Sequence, residues 1–252
     1  MKKTLFLLLI ITNIITAQTA SESFSSANDL YKNEKFEQAI ALYEKIEDQG
    51  LVSSELHYNL GNSYYKLNKV GPSIYHYEKS LKLDPLNEDV KNNLVFAKRL
   101  ALDNIEELPK TVFQKFNKNY LQMLSYNQWA IVTIVFSILG SLFFLLFYFA
   151  VSPSKKRFYF VISALNFILL ITSSLITYNQ YLHSNNNKEA IVFAKKTAVR
   201  NAPTLNSEEV FTLHEGTKVL VLDNLDDWKK IKLADGKLGW IIADEIRLLS
   251  DF

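Results

Sequence analysis

The chain has 252 residues, a formal net charge of +2 and no cysteine. The missing cysteines exclude disulfides, thiol catalysis and a lipid-modified N-terminal cysteine. Lys2 and Lys3 account for the whole charge excess, because the residues from Gln18 onward contain 26 basic and 26 acidic side chains. The chain therefore lacks the basic surplus that nucleic-acid binding requires, and we expect no nucleic-acid partner.

The first residues have the pattern of a secretory signal peptide. Lys2 and Lys3 precede an apolar stretch from Leu5 to Ile15, and small residues follow. This pattern predicts a signal peptide over residues 1–17, cleaved after Ala17 or after Ala20. We expect the remainder of the chain to start on the outer side of the membrane.

An internal repeat follows the predicted signal peptide, and its second copy lies 34 positions after the first. Residues 27–46 and 61–80 align at this offset, and eight of the twenty pairs are identical. The second copy contains the residues Leu60, Gly61, Tyr64, Tyr77 and Pro85. With this period, these residues resemble the tetratricopeptide repeat, a pair of antiparallel helices.

The resemblance implies an all-α module over residues 20–107. It would contain one repeat over 20–53 and a second over 54–87. Two repeats leave an apolar face open, and the stripe of Val90, Leu94 and Ala97 predicts a capping helix over 88–107 that covers it.

In this family the first helix of each repeat lines a concave groove. Residues of both copies recur at i, i+3 and i+4, which places them on one side of each first helix. The resemblance then implies a peptide-binding groove formed by Asn28, Tyr31, Lys32, Asn62, Tyr65, Lys66 and Arg99. Amides can hold a peptide backbone, and cations can hold a carboxylate such as a C-terminus. The alternative is that the tyrosines only pack and the lysines are only solvated.

Two long apolar runs occupy the middle of the chain. Residues 129–151 and 158–178 are each long enough to cross a bilayer once, and an amphipathic juxtamembrane segment over 108–128 precedes them. The alternative is a pair of buried core helices in a soluble protein.

The connection between the runs carries the only ionised residues of this region. Lys155, Lys156 and Arg157 lie in the predicted loop 152–157. Short loops rich in lysine and arginine remain cytoplasmic, so we expect both flanking domains in the periplasm of a bacterium, with the lipid bilayer of the inner membrane around the two spans.

Residues 188–252 change to short β-rich runs separated by glycine and aspartate turns. Their order resembles a bacterial SH3 domain, on the matching segments 199–203, 215–217, 227–228 and 235–240. The resemblance implies a small all-β barrel whose ligand surface includes His214 and Trp228 and which could bind peptides or peptidoglycan. The alternative is that Trp228 is purely structural.

No pattern in the sequence indicates catalysis, a cofactor or a metal ion. The four histidines are scattered without metal-ligand spacing, and no phosphate-binding glycine loop or nucleophile elbow is present. We therefore expect a multidomain membrane protein that is not an enzyme and has no cofactor.

The order of the predicted parts resembles the BatE family of Bacteroides aerotolerance proteins. The resemblance implies protein partners such as von Willebrand A-type membrane proteins and a MoxR-type ATPase system. Two hypotheses follow: a membrane scaffold that docks protein partners through the repeats, in an envelope-stress or aerotolerance complex, or an envelope sensor whose SH3-like domain binds peptidoglycan or its stem peptide.

Overall fold

The computed structural model describes residues 20–249, so the predicted signal peptide lies outside the described residues. The chain forms two compact units. One consists of the residues up to 108 together with those from 189 onward, and the other of residues 109–188. The predicted helical module and the predicted SH3-like domain thus belong to the same unit.

Within residues 20–108, five helices form the N-terminal part of the first unit. They are α1, described over residues 20–32, α2 (Phe36–Asp48), α3 (Ser54–Lys66), α4 (Val70–Leu83) and α5 (Glu88–Lys98). Glu34 and Asn68, which are 34 positions apart, both adopt a left-handed backbone (φ 60° and 55°) between the helices of a pair. The backbone geometry of the turn therefore repeats with the same period as the side chains.

The α5 helix is shorter than the predicted capping helix over 88–107. It ends at Lys98, and residues 103–110 have no helical structure. Within this extended stretch the Asp103 carboxylate accepts hydrogen bonds from the backbone N–H of His214 (2.7 Å) and from the Thr217 hydroxyl (2.5 Å). Contacts with the C-terminal domain stabilise this extended stretch in place of a further helical turn.

Over the described residues 188–249, seven strands form the C-terminal part of the first unit. They are β1 (Lys188–Val192), β2 (Lys196–Arg200), β3 (Glu209–His214), β4 (Lys218–Leu225), β5 (Trp228–Lys232), β6 (Leu238–Ile242) and β7 (Ile246–Leu248). The sheet has the order β3-β2-β6-β5-β4-β1-β7, and its paired strands are antiparallel.

The predicted small all-β domain is present, but it does not form a closed barrel, because its sheet is open with β3 and β7 at the two edges. Ile191 of β1 and Leu249 after β7 are fully buried in a core cluster with Ile74, Tyr77 and Leu94 of the helices. The β1–β7 end of the sheet therefore packs on the second repeat and α5. That contact buries apolar surface that a closed barrel would bury against its own strands.

The second unit contains α6 (Val112–Tyr120), α7 (Tyr126–Phe149) and α8 (Pro153–Asn186). The helices α7 and α8 are long and apolar enough to be candidate membrane spans. Their most apolar windows are 0% and 11% buried, whereas a core helix of a soluble protein is mostly buried. This exposure argues against the alternative of core helices.

The two long helices are joined by a shorter connection than the predicted loop 152–157. Helix α8 begins at Pro153, so Lys155, Lys156 and Arg157 lie in its first turns. A proline at the first helical position has the required φ and no N–H to leave unpaired, which explains this early start.

Candidate functional site

The helical module contains an open groove of ≈ 300 Å³. Its walls come from α1, α3, α4 and α5, and they are mainly aromatic with two amides and one cation. The lining residues are Tyr31, Tyr58, Asn62, Tyr65, Lys66, Tyr77, Asn93 and Phe96.

A hydrogen-bonded group of three side chains fixes the amide of Asn62 in this groove. Its Oδ1 accepts a hydrogen bond from the Tyr77 hydroxyl (2.6 Å) and another from Nδ2 of Asn93 (2.8 Å). Because the oxygen is held in this way, the Nδ2 group on the other branch of the Asn62 amide is the donor that this residue can offer to a ligand carbonyl.

The same group recurs 34 positions earlier in the chain. Oδ1 of Asn28 accepts hydrogen bonds from the Tyr43 hydroxyl (2.6 Å) and from Nδ2 of Asn59 (3.0 Å). Each member precedes its counterpart in the groove by one full repeat period, so Asn93 of α5 corresponds to Asn59 of α3. The α5 helix therefore donates to the asparagine of the second repeat the same hydrogen bond that α3 donates to the asparagine of the first.

Burial keeps the tyrosine of each group protonated. It raises the pKa of Tyr43 to about 12, with a further contribution from Tyr31. It also raises the pKa of Tyr77, together with the nearby Tyr58. Both hydroxyls therefore remain hydrogen-bond donors at neutral pH and hold the asparagine oxygens as acceptors.

Lys66 is the cation of the groove. It lies in the last turn of α3, and its side chain is exposed. An ammonium group beside aromatic walls and a fixed amide donor suits a peptide that presents an aromatic or apolar side chain and a carboxylate.

The structure brings together only part of the predicted groove. Tyr31, Asn62, Tyr65 and Lys66 line it, whereas Asn28, Lys32 and Arg99 do not belong to its lining residues. Asn28 belongs to the hydrogen-bonded group of the first repeat, the exposed Lys32 pairs with Asp29 (3.3 Å), and the Arg99 guanidinium lies over the Phe96 ring, 5.3 Å from its centroid.

Sequence reasoning missed Tyr58, Tyr77, Asn93 and Phe96 as groove residues. For Asn93 a signal is present in the sequence, since it lies one repeat period after Asn59 and is identical to it. Phe96 takes the position one period after Asn62, and no identity marks it.

The predicted SH3 ligand residue Trp228 lies on the outer face of the sheet. The strand register places Trp240 opposite Lys230 and also opposite Arg200, and it places Trp228 two residues from Lys230 on the same face. The other face carries the core residues, among them Ile231. The half-buried tryptophans and the two cations thus form an aromatic and basic patch, with the Lys230 ammonium 5.9 Å from the centre of the Trp240 ring.

The other predicted SH3 ligand residue, His214, lies elsewhere. It stands at the end of β3, and its Nδ1 is 2.7 Å from Oδ1 of Asp103. Hydrogen bonds from Thr217 and His214 outweigh the effect of burial and hold the pKa of the Asp103 carboxyl below its usual range. His214 thus has an intramolecular partner at the junction with the helical module.

An ion-pair network around the largely buried Glu78 holds the sheet to the second repeat. The Glu78 carboxylate on α4 lies 2.7 Å from Nζ of Lys98 and 3.0 Å from Nζ of Lys218 on β4. Lys218 also pairs with Glu189 of β1 (2.9 Å), and Glu189 with Lys82 of α4 (3.4 Å). Charges from both parts of the unit therefore neutralise one another at the junction.

Two parts of the chain match known protein families. Residues 195–247 match the bacterial SH3 domain, and residues 54–87 match the tetratricopeptide repeat. No curated protein matches the chain. These matches confirm the predicted combination of helical repeats with a bacterial SH3 domain. The repeat suggests protein–protein interaction, and the SH3 domain suggests peptidoglycan binding.

Proposed function

We propose that this protein is a non-enzymatic scaffold of the bacterial inner membrane that docks a protein partner in the groove of its helical repeats. The observation that supports this proposal most strongly is the groove of ≈ 300 Å³ with its fixed amide and its single cation. The occupant is an extended peptide segment that ends in a carboxylate, because Asn62 offers a donor to a carbonyl and Lys66 a charge to an acid.

The remaining features support a location in the envelope. Helices α7 and α8 form two spans, and the cations of Lys155, Lys156 and Arg157 keep the connection in the cytoplasm. Both parts of the first unit then lie in the periplasm. The resemblance to the BatE family supports a role for the scaffold in an envelope-stress or aerotolerance complex, with von Willebrand A-type membrane proteins and a MoxR-type ATPase system as proposed partners.

Peptide binding to the full chain in detergent tests the groove. A panel of fluorescent peptides is prepared twice, once with a free C-terminal carboxylate and once amidated, and binding is followed by anisotropy. We expect the free acids to bind more tightly, and we expect Lys66→Glu to weaken their binding about tenfold or more, because an opposed charge replaces a charge-assisted hydrogen bond.

Lys45→Glu is the matched control, since it makes the same charge change at an exposed position of α2 that does not line the groove. It should leave the affinity unchanged. Equal affinities of acids and amides, or equal effects of the two substitutions, would contradict the assignment of the groove.

A second function is favoured by the patch on the SH3 domain. This patch combines aromatic faces with cations, from Trp228, Trp240, Arg200 and Lys230. Such a surface can stack on sugar rings and pair with stem-peptide carboxylates. The protein would then act as an envelope sensor that binds peptidoglycan.

Sedimentation with purified cell wall tests this second function. The full chain is used, because the sheet shares a buried core with the repeats. Wild type should sediment with the wall, and Trp240→Ala should reduce the sedimented fraction while Leu222→Ala, an exposed apolar position of β4, should not. No enrichment of the wild type over a control protein would exclude this function.

A further inference from the structure

Two histidines that belong to no metal-binding motif in the sequence lie in contact inside the helical module. His57 lies in the first turns of α3, and His76 lies in the middle of α4. Their Nδ1 atoms are 3.2 Å apart, and the residues are 0% and 5% exposed. The carboxylate of Glu47, near the end of α2, completes a cluster in which the potential ligand atoms lie within 4.8 Å of one another.

The spacing of the two imidazole nitrogens matches that of two ligands on one zinc ion. Two nitrogens bound to one tetrahedral zinc at about 2.0–2.1 Å are about 3.3 Å apart, which is close to the distance between the two Nδ1 atoms. If both rings carry their proton on Nε2, both Nδ1 lone pairs can be directed at a single ion. Two histidines and one carboxylate are a common ligand set for zinc.

We propose that Glu47, His57 and His76 form a zinc site that links three successive helices of the repeats. The three protein ligands leave a fourth position for water or for the second carboxylate oxygen of Glu47. The site goes beyond the proposed scaffold function and does not depend on it, since none of its ligands lines the peptide groove.

The surroundings of the cluster keep the ligands ordered. The Tyr64 ring stacks on His76 at a centroid distance of 5.4 Å, and Tyr75 meets the same imidazole edge-on at 5.1 Å. The Glu47 side chain is 23% exposed, so an ion can reach the cluster from that side.

The Lys79 ammonium competes with a metal ion for the Glu47 carboxylate. This ammonium lies 2.8 Å from Oε1 of Glu47, and the lysine side chain is only 4% exposed. It neutralises the carboxylate that the ion would use and repels a second cation nearby. Replacing Lys79 by methionine keeps a flexible side chain of similar length and removes the competing charge. The substitution should therefore tighten zinc binding. If Glu47 served only as the ion-pair partner of Lys79, the substitution would not increase zinc affinity.

Cobalt binding to the full chain in detergent tests the proposal. The protein carries a purification tag without histidines, is freed of metal with a chelator and is titrated with Co²⁺, whose visible absorption reports four-coordinate geometry. We expect one ion per chain and displacement of the absorption by Zn²⁺. Glu47→Gln should weaken zinc binding about tenfold or more, His76→Gln should abolish it, and Lys79→Met should strengthen it about tenfold.

His183→Gln provides the matched control, because His183 lies in α8 and outside the cluster. It should leave the stoichiometry and the affinity unchanged. The proposal is overturned if wild type shows no saturable absorption, if the absorption persists in His76→Gln, or if Lys79→Met binds zinc no more tightly than wild type. Because Lys79→Met and Glu47→Gln leave the two buried histidines in place, the proposal remains testable even if His76→Gln fails to fold.

Discussion

Glu78→Gln would remove the negative charge that joins the SH3 domain to the repeats. The Glu78 side chain is 10% exposed and lies between the ammonium groups of Lys98 and Lys218. Burial by itself would raise the pKa of this carboxyl, but Lys218 and Lys98 outweigh it and lower the pKa from 4.5 to about 2. At about 1.4 kcal/mol per pH unit, this difference corresponds to about 3 kcal/mol of folding free energy.

The nature of the change agrees with this magnitude. Removing one partner of a fully buried ion pair costs about 3–5 kcal/mol, and the low end of that range applies here because the Lys98 and Lys218 side chains are 48% and 32% exposed. Here two ammonium groups lose their shared partner, although Lys218 keeps Glu189 at 2.9 Å. We therefore expect Glu78→Gln to lower the free energy of unfolding of the first unit by about 3 kcal/mol at pH 7.

Urea unfolding of the full chain in detergent measures this loss. Trp228 and Trp240 are half-buried in the sheet, so their fluorescence reports unfolding of the first unit. Since the pKa of Glu78 is lowered in the folded state, its contribution is complete above pH 4.5 and is lost as the pH falls toward about 2. The difference between wild type and Glu78→Gln should shrink over the same interval.

Glu88→Gln is the control for this experiment. Glu88 also pairs with a lysine, Lys91 at 2.8 Å, but its side chain is 74% exposed. Such a pair contributes at most about 1 kcal/mol. The reasoning is refuted if Glu78→Gln costs no more than Glu88→Gln, or if its cost does not change between pH 7 and acid.

Three further predictions concern packing, the domain junction and topology. Gly61→Ala should lower the free energy of unfolding by about 1–3 kcal/mol despite the better helix propensity of alanine, because its Cβ would lie 2.6 Å from the Tyr77 ring; unchanged stability in the urea assay would contradict this. Asp103→Ala should cost about 2 kcal/mol in that assay, since it leaves donors without their acceptor at the junction, and a cost below that of Glu88→Gln would argue against it. Because the chain has no cysteine, a single introduced cysteine can report the topology. Ser154→Cys should react with a membrane-impermeant maleimide only after spheroplasts are lysed, whereas Ser207→Cys should react before lysis. The reverse pattern would contradict the proposed topology.

The repeats were predictable because the same residues recur 34 positions apart in the sequence. Tyr43 and Tyr77 recur 34 positions apart and bond to Asn28 and Asn62, which recur in the same way. Identical local sequences make identical local contacts, so the helix pairs and half of the groove followed from the repeat. Phe96 was missed since α5 departs from the repeat at that position.

Contacts between distant residues were not predictable. His57 and His76 are 19 positions apart, and no spacing rule joins them, but α3 and α4 pack so that their Nδ1 atoms lie 3.2 Å apart. Glu78 and Lys218 are 140 positions apart and meet only because the sheet packs on the second repeat. The closure of the sheet was not predictable for the same reason. The sequence predicts strands, but Ile191 of β1 packs against helices from the other end of the chain.

The sequence by itself thus determined the local elements: the helical repeats, the two apolar helices of span length and the β-rich domain, each from periodicity or length. The tertiary structure alone decided that the repeats and the sheet form one unit with a shared core, that Asp103 and Glu78 hold them together, and that Glu47 meets the two histidines. The physical reason is that periodicity reports which face of an element is apolar, whereas the choice of the surface that covers that face depends on the whole folded chain.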